Sequence, residues 1–321
     1  MMSGKLAAAG SRYFLLLLSG GLYWGCQGPT KPAFRPADSL WIAPDISTVP
    51  ATDKGELIRY GQLLVSRTAV YFGPRGTLGK QANGMNCQNC HLKAGTQPWG
   101  NNFGAVFSTY PKFRERRGAV ESVPQRIIDC FERSLNGQSP DTGSREMKAF
   151  IIYMQWLGAK VPKGKKPAGS ALEVLALPNR AADPARGKMS YVLKCQVCHG
   201  PAGEGLLSSD SVTYVYPPLW GSHSYNTGAG LFRLSRFASF IKANMPFGAD
   251  YRKAQLTDEE AWDLAAFVNS QPRPQKVFSG DWPDPALKPF DFPFGPYTDT
   301  FSQRQHKYGP FGPIQKARKR P

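Results

Sequence analysis

The sequence predicts an all-α protein that consists of two similar halves and a long, proline-rich, extended C-terminal tail. Three observations support this fold class. The motif C-x-x-C-H occurs twice, as CQNCH at 87–91 and as CQVCH at 195–199. A stretch with helical periodicity precedes and follows each motif. After Gln271 the prolines are too dense for a helix or a central strand, so the remaining chain is predicted to be extended.

The predicted helices stand in the same order in both halves. They cover residues 55–73, 144–158, 183–195 and 257–271. The third begins like a capped helix, because Asp183 can accept hydrogen bonds from free backbone N–H groups and Pro184 suits the first turn. The fourth begins with a capping box, Thr257 to Glu260. The order of helix, motif, loops and helix therefore occurs twice, which indicates two domains of one type.

The C-x-x-C-H motif is typical of covalent attachment of haem c. Two thiols at this spacing add to the two vinyl groups of one haem, and the adjacent histidine becomes an axial ligand of the iron. A zinc site is the weaker alternative, because zinc-binding pairs usually lie closer together in sequence. A redox-active dithiol does not need the trailing histidine. Two haem c groups are therefore predicted. The residues that would bind them are Cys87, Cys90, His91, Cys195, Cys198 and His199.

Each half thus has the layout of a small cytochrome c domain, and the sequence predicts two such domains in tandem. The predicted bounds are 40–160 for the first domain, 161–182 for a basic Pro/Gly linker, 183–271 for the second domain and 272–321 for the tail. With 28 prolines and 33 glycines, the protein is also expected to be rich in loops. We expect the aromatic residues of the tail to pack on the two domains.

Residues 1–26 have the layout of an export signal. Lys5 and Arg12 precede an apolar stretch, residues 13–24, that is too short to cross a membrane comfortably. Cys26 follows, which favours attachment of a lipid anchor to its thiol; a soluble exported product and an uncleaved anchor are the alternatives. We therefore expect a periplasmic protein, held at the membrane if Cys26 is lipidated. No later hydrophobic stretch reaches 18 residues, so the body of the protein is not expected to span a membrane.

The net charge of +17 favours anionic partners such as small anions, an acidic protein surface, a membrane surface or nucleic acid. Denser basic runs at 112–117, 160–166 and 316–320 are most simply solvated surface. No helix-turn-helix, zinc-finger or RNA-binding sheet pattern accompanies them, so a nucleic-acid partner is not expected. The apolar content of 41% is that of an ordinary soluble protein.

Each haem iron has a second axial position. In the second half the candidate ligand is Met245, in a Met-Pro sequence shortly before the last helix of the repeat. A thioether ligand raises the reduction potential, which suits electron transfer. Lys242 and His223 are the rival ligands, although His223 is more simply a surface or loop histidine.

In the first half the corresponding place holds Cys130, within an amphipathic helix predicted for 126–137. Met147 and Met154 are the alternatives, although both lie within a predicted helix at the spacing of core residues. A thiolate ligand is unusual for a simple electron carrier, because it donates strongly and lowers the potential. The same sulfur is a nucleophile if it can leave the iron. Cys130 is therefore the candidate reactive residue, with a structural buried thiol as the alternative.

Basic residues surround Cys130 in the sequence. On a helix Arg126 lies one turn before it, and Arg133 and Ser134 lie one turn after it. Guanidinium groups at such positions can bind an oxyanion through two parallel hydrogen bonds, although ordinary surface arginines are the alternative. The preceding loop adds Arg116 and Arg117.

Several stretches of the sequence resemble the dihaem thiosulfate dehydrogenases. They are NGMNCQNCHLKAGTQPWGNNFGAVFSTYP, RIIDCFERSLNG, YPPLWGSHSYNTGAG, DLAAFVNSQPRP, DWPDP and HKYGPF. The resemblance runs from about residue 55 to the C-terminus. It implies the oxidative coupling of two thiosulfates to tetrathionate with release of two electrons, and some members of the family catalyse the reverse reaction well.

Carried over residue by residue, the resemblance implies that His91 and Cys130 ligate the active-site haem. His199 and Met245 would ligate the second haem, from which electrons leave. In some members a lysine directly precedes the methionine and can replace it as the ligand. Here Asn244 stands at that position, so such an exchange is not carried over.

The resemblance also implies that Arg116, Arg126 and Ser134 hold the substrate beside Cys130. An arginine-lined pocket would reduce the repulsion between two thiosulfate dianions. We expect one thiosulfate to join the Cys130 sulfur and a second to attack its sulfane sulfur, with the electrons passing to a small acceptor cytochrome.

Three other functions compete with this hypothesis. The first is a non-catalytic dihaem electron carrier, and the second is a Sox-type enzyme that conjugates thiosulfate to a carrier protein. The third is a dihaem peroxidase, which needs an acid–base residue near an open iron. No His, Glu or Gln is placed in the sequence for that role.

Overall fold

The computed structural model describes residues 40–80 and 82–318; the predicted export signal and Cys26 lie outside the described residues. The described chain is mostly helical, which confirms the predicted all-α class. Its helices are α1 (Asp53–Ser66), α2 (Thr68–Phe72), α3 (Leu92–Gly95), α4 (Val106–Thr109), α5 (Val123–Arg133), α6 (Arg145–Leu157), α7 (Pro184–Lys194), α8 (Gln196–His199), α9 (Leu234–Asn244), α10 (Asp258–Ser270), α11 (Gln303–Tyr308) and α12 (Gly312–Arg318).

Helices α1 and α6 pack against each other around the hydrophobic core of the first half. The hydroxyl of Thr52 caps α1 by accepting from the backbone N–H of Gly55 at 3.1 Å, and Ser144 caps α6 in the same way. The helices approach closely at Gly61, where a Cβ atom would lie 2.2 Å from the carbonyl oxygen of Ala149. Any larger residue at this position would push the two helices apart.

Helices α7 and α10 form the matching pair around a second hydrophobic core. They also touch at a glycine, since a Cβ atom on Gly187 would lie 1.9 Å from the carbonyl oxygen of Asp263. The repeat in the sequence therefore extends to the way in which each helix pair packs. Both predicted caps are confirmed: Asp183 caps α7, and Thr257 and Glu260 form both bonds of the capping box.

Three of the four repeat helices are confirmed within a residue or two, as α6, α7 and α10. The fourth, predicted for 55–73, is divided into α1 and α2. The chain bends at Arg67, whose φ of −129° and ψ of 36° are not helical. The bend places Thr68 next to the first motif, where its hydroxyl accepts a hydrogen bond from the backbone N–H of Cys87 at 3.0 Å.

The helix that carries Cys130 lies earlier than the predicted 126–137. It begins after Ser122, whose hydroxyl accepts from the first turn, and it ends at Arg133. Asn136, with a φ of +48°, is in the left-handed region that terminates helices. Ser134 is consequently the C-cap residue and not a member of the helix.

Two short antiparallel hairpins, which the sequence did not predict, interrupt the helices. They are β1 (Lys112–Arg114) with β2 (Ala119–Glu121), and β3 (Leu206–Leu207) with β4 (Tyr214–Tyr216). In the first, Phe113 is opposite Val120, and the turn between the strands carries Arg116 and Arg117. This hairpin directly precedes α5, so it places the two arginines near the helix that carries Cys130.

The C-terminal segment is less extended than predicted. Up to Phe301 it contains only a single 3-10 turn, but α11 and α12 follow, with Ser302 accepting from the backbone N–H of Gln305 at 3.2 Å. Phe311 and Ile314 are fully buried in the second core, and Phe294 packs against the first. Aromatic residues of this segment thus pack in or against both hydrophobic cores. Within the residues described here, no helix is long and apolar enough to cross a bilayer.

Candidate active site

The first C-x-x-C-H motif faces a cavity of about 180 Å³ that is also lined by α5, α6 and the loop after the motif. Every residue predicted for this half of the site lines the cavity, except Arg116. They are Cys87, Cys90, His91, Arg126, Cys130 and Ser134. The remaining lining is mostly apolar, so the cavity combines sulfur and nitrogen donors with hydrophobic walls.

His91 is oriented by a backbone carbonyl. Its Nδ1 lies 2.5 Å from the carbonyl oxygen of Asn101, and since a carbonyl only accepts, Nδ1 must carry the proton. The lone pair of Nε2 is then free for a metal, which is the usual second-sphere arrangement of a histidine ligand. Burial lowers the pKa of His91 to about 4, so the ring is neutral near pH 7.

Cys130 lies in the last turns of α5, and its carbonyl oxygen accepts from the backbone N–H of Ser134 at 2.8 Å. Arg126, one turn earlier, lines the same cavity. The nearby Cys130 sulfur raises the pKa of Arg126, because a thiolate favours the charged guanidinium. Its backbone N–H donates to the carbonyl oxygen of Ser122 at 3.0 Å, but its guanidinium makes no hydrogen bond or ion pair with any residue that the structure describes, so this cationic group is available to an anion.

Arg116 does not line this cavity, although the resemblance assigns it to the substrate. Its guanidinium donates to the carbonyl oxygen of Gly228 at 2.9 Å and lies 4.0 Å from a carboxylate oxygen of Asp281. Burial, with Arg133 as a second cause, lowers the pKa of Arg116 to about 10, which still leaves it charged near pH 7. The residue therefore lies outside the cavity wall, in a charged cluster with Arg133 and Asp281 behind α5, and Arg126 is near enough to contribute to the lowering of its pKa.

The two methionines that compete with Cys130 differ in position. Met147 is fully buried in the first hydrophobic core and does not line the cavity. Met154 does line it, on the same wall as Phe150. The cavity thus contains two sulfur side chains that sequence spacing had proposed, Cys130 and Met154; Cys130 is the one whose charge raises the pKa of Arg126.

The second C-x-x-C-H motif faces a larger cavity of about 1080 Å³. The predicted residues that line it are Cys195, Cys198, His199 and Met245. His199 is held like His91: its Nδ1 donates to the carbonyl oxygen of Pro217 at 2.9 Å, which leaves Nε2 free. Met245 directly follows α9, and its backbone N–H donates to Ile241 at 2.9 Å.

Neither rival of Met245 lines this cavity. The ammonium group of Lys242 donates to the carbonyl oxygen of Leu256 at 2.6 Å and lies 2.9 Å from a carboxylate oxygen of Asp258. His223 is exposed, as expected for a loop histidine. Of the three candidates, the structure brings only Met245 to the cavity that contains His199.

Met85 and Cys90 line both cavities, so the two share a wall. The side chain of Met85 is almost completely buried, with 2% exposed. Groups bound in the two cavities would therefore be neighbours, which favours direct electron transfer between them. Sequence reasoning did not single out Met85; its place two residues before the first motif was the only signal.

The residues present fit a covalently attached haem at each motif. The five cysteines among the described residues are free thiols, and each motif offers two of them beside a histidine with a free Nε2. Zinc needs four such donors grouped together. In the described ranges, no three His, Cys, Asp or Glu side chains are grouped to hold a metal ion.

Asp281 is a residue that sequence reasoning missed. It forms two hydrogen bonds of 2.7 Å to the guanidinium of Arg133, although 148 positions separate the two residues. Nothing in the spacing indicates this contact. The only available signal was the stretch DWPDP, which begins at Asp281.

The chain is similar to c-type cytochromes that oxidise thiosulfate, as comparison with known proteins shows. Residues 184–272 match the cytochrome c family model. Thiosulfate dehydrogenase of Allochromatium vinosum is 39% identical over 251 residues, which are 77% of this chain and 89% of that protein. Thiosulfate dehydrogenase of Psychrobacter arcticus is 38% identical over 244 residues, which are 75% of this chain and 71% of that protein.

A solved structure is also similar, namely the "as isolated" form of thiosulfate dehydrogenase (TsdBA) from Marichromatium purpuratum. It has a TM-score of 0.69 and 35% sequence identity. The match covers 77% of this chain and 53% of that chain, so this chain spans about half the length of the solved protein. Given the two C-x-x-C-H motifs and relatives of this identity over most of their length, the chain belongs to the thiosulfate dehydrogenase family of c-type cytochromes.

Proposed function

We propose that this protein oxidises thiosulfate and couples two molecules of it to tetrathionate, with two electrons passed to an acceptor cytochrome. The observation that carries this proposal is that Cys130 shares one cavity with a C-x-x-C-H motif and with the guanidinium of Arg126, which has no partner among the residues that the structure describes. Oxidative coupling of a sulfur anion requires a sulfur nucleophile, a cation that can bind the anion and a redox cofactor site.

We further propose two tandem cytochrome c domains, residues 40–160 and 183–271, each with one haem c. Cys87 and Cys90 would hold the first haem, and Cys195 and Cys198 the second. The axial ligands would be His91 and Cys130 at the first, and His199 and Met245 at the second. Each haem, when bound, supplies a one-electron Fe(III)/Fe(II) couple. Two such couples match a reaction that releases two electrons.

The first step joins one thiosulfate to the protein. Arg126 holds the sulfonate oxygens of the dianion, which also reduces its repulsion from the Cys130 thiolate. A bond forms between the Cys130 sulfur and the sulfane sulfur: Cys130–S⁻ + S₂O₃²⁻ gives Cys130–S–S–SO₃⁻ and two electrons. Ser134, at the end of α5, contributes a hydroxyl donor to the same anion.

The second step releases the product and restores the thiolate. The sulfane sulfur of another thiosulfate attacks the sulfane sulfur held on Cys130, so that Cys130–S–S–SO₃⁻ + S₂O₃²⁻ gives Cys130–S⁻ + S₄O₆²⁻. No proton is transferred in either step, so the mechanism needs no general acid or base; among the described residues, no carboxylate lines the cavity. The reverse sequence would reduce tetrathionate.

We propose that the protein is exported to the periplasm, where a small c-type cytochrome could accept its electrons. The charged start, the apolar stretch at 13–24 and the cysteine at position 26 support export, with a lipid on Cys26 as the expected anchor. The excess of basic residues favours an acidic acceptor surface.

Turnover of the purified holoprotein tests the function directly. Thiosulfate and an oxidised artificial mediator should yield one tetrathionate for every two electrons accepted; tetrathionate with reduced mediator measures the reverse rate. A non-catalytic carrier would give no tetrathionate. A Sox-type enzyme would also give none until a carrier protein was added. Either result would reject the proposal.

Replacing Met245 with histidine tests the second centre. A His/His iron has a lower reduction potential than a His/Met iron, so redox titration of the Met245→His protein should show one haem shifted downward and the other unchanged. Lys242→Gln is the matched control. The Lys242 ammonium group is bound to Leu256 and Asp258, so its replacement should leave both reduction potentials unchanged. A shift in Lys242→Gln, with none in Met245→His, would assign the ligand to the lysine.

A further inference from the structure

We propose that Asp281 is a positioning residue for Arg116 and Arg133, so that the C-terminal segment completes the thiosulfate site behind the helix that carries Cys130. This inference rests on the proposed function. It adds a residue that lies outside both haem motifs and that touches neither cavity.

Arg133 is the firmest link between the segment and α5. Both terminal nitrogens of its guanidinium donate to the two carboxylate oxygens of Asp281 at 2.7 Å, and the group lies 3.7 Å from the centre of the Phe278 ring. Only 5% of the Arg133 side chain is exposed. Asp129, one turn earlier on α5, lies 3.9 Å from its Nε, but among the described residues only Asp281 accepts hydrogen bonds from this guanidinium. Removing Asp281 would leave both terminal nitrogens of a buried cation without an acceptor. Asp281 therefore fixes the end of α5, three residues from Cys130.

Arg116 is held by the same stretch of chain. Its Nε lies 4.0 Å from a carboxylate oxygen of Asp281, and its carbonyl oxygen accepts from the backbone N–H of Trp282 at 2.7 Å. Its guanidinium lies 5.6 Å from the centre of the Trp282 ring. One hydrogen bond, to Gly228, is all that the described residues provide to this guanidinium, so most of its N–H donors remain for a ligand.

The junction is packed too closely to rearrange freely. A Cβ atom on Gly228 would lie 2.4 Å from the Phe278 ring and 3.1 Å from Nη1 of Arg133. Glycine at this position lets the carbonyl that binds Arg116 approach the pair of Arg133 and Asp281. The position of Arg116 is consequently set by Asp281, Trp282 and Gly228 together.

A positioning role and a purely electrostatic role of Asp281 predict opposite changes in KM for thiosulfate. If Asp281 acted only through its negative charge, its removal would strengthen the binding of a dianion nearby, and KM for thiosulfate would fall. If Asp281 positions the arginines, its removal releases them, and KM rises although a negative charge has been lost.

The test is steady-state kinetics of the holoprotein with thiosulfate and an artificial oxidised mediator. We expect Asp281→Asn to raise KM at least fivefold while kcat stays within twofold, and Asp281→Glu to recover most of the loss. Asp284→Asn is the matched control: this exposed carboxylate lies on the same segment, caps the 3-10 turn through Ala286 and touches neither arginine, so KM should not change. An unchanged or lower KM in folded Asp281→Asn would overturn the proposal.

Trp282→Leu keeps the proposal testable if Asp281→Asn does not fold. This variant removes the ring beside Arg116 and leaves the ion pair of Arg133 intact, so KM should rise by a smaller factor, two- to threefold. Circular dichroism and haem content establish that each variant is folded. Turnover of the wild-type protein in the same assay separates the proposed function from the positioning role. If the wild type forms no tetrathionate, the proposed function fails. If the wild type is active and KM is unchanged in folded Trp282→Leu, only the positioning role is rejected.

Discussion

Replacing Cys130 with alanine is expected to reduce the rate of tetrathionate formation by at least about 10³-fold, because the variant loses the atom that carries the first sulfane sulfur. Without a covalent intermediate, two thiosulfate dianions must meet directly in the cavity. Arg126 alone cannot offset the repulsion between them. The rate should be measured as tetrathionate produced per haem, since a change in mediator reduction alone could reflect a change in potential.

Two further measurements make this result specific. Glu132→Gln, a change on the same helix at a side chain that does not line the cavity, should leave the rate within twofold of the wild type. Haem content should be equal in all three proteins, because both motifs are intact. Tetrathionate formation at the wild-type rate in a fully loaded Cys130→Ala protein would favour the non-catalytic carrier and reject the mechanism.

Replacing Arg126 with glutamine is expected to lower kcat/KM for thiosulfate by about 10²–10³-fold, the usual effect of losing one preorganised donor to a charged group in a dry site. Arg126 is the only arginine that lines the cavity of Cys130 among the residues that the structure describes. KM should rise and kcat should fall, because the same guanidinium binds the dianion and offsets the thiolate charge.

Arg126→Lys separates charge from geometry. A lysine keeps the charge but cannot form two parallel hydrogen bonds to a sulfonate, so it should recover only part of the lost activity. Arg67→Gln, at an exposed position between α1 and α2, is the control for the loss of an arginine and should leave kcat/KM unchanged. If Arg126→Gln and Arg67→Gln gave the same kinetics, Arg126 would not hold the anion, and its part in the mechanism would be rejected.

The helices were predictable where their ends are encoded locally. Asp183 with Pro184 and Thr257 with Glu260 satisfy free backbone N–H groups within their own first turns, so α7 and α10 begin where the sequence indicates. The bend at Arg67 was not predictable in this way. It positions Thr68 to bind the first motif, and that contact depends on the tertiary structure.

The site shows the same division. That Arg126 and Cys130 line one cavity was predictable, because they lie one turn apart on a helix, and the match between the two halves placed Cys130 with the first motif. Arg116 was assigned to the substrate by resemblance, but the structure places it against Gly228 and Asp281, two residues far from it in sequence. Spacing carries no information on such contacts, since they form only when the C-terminal segment packs behind α5.

The most direct test of the central claim is mass spectrometry of the peptide that contains Cys130, after oxidised holoprotein is mixed with thiosulfate in the absence of an acceptor. The account predicts that this peptide gains the mass of one thiosulfate group, that a thiol reductant removes it, and that a second addition of thiosulfate releases tetrathionate. An unmodified Cys130 peptide in protein that still forms tetrathionate on turnover would contradict the account.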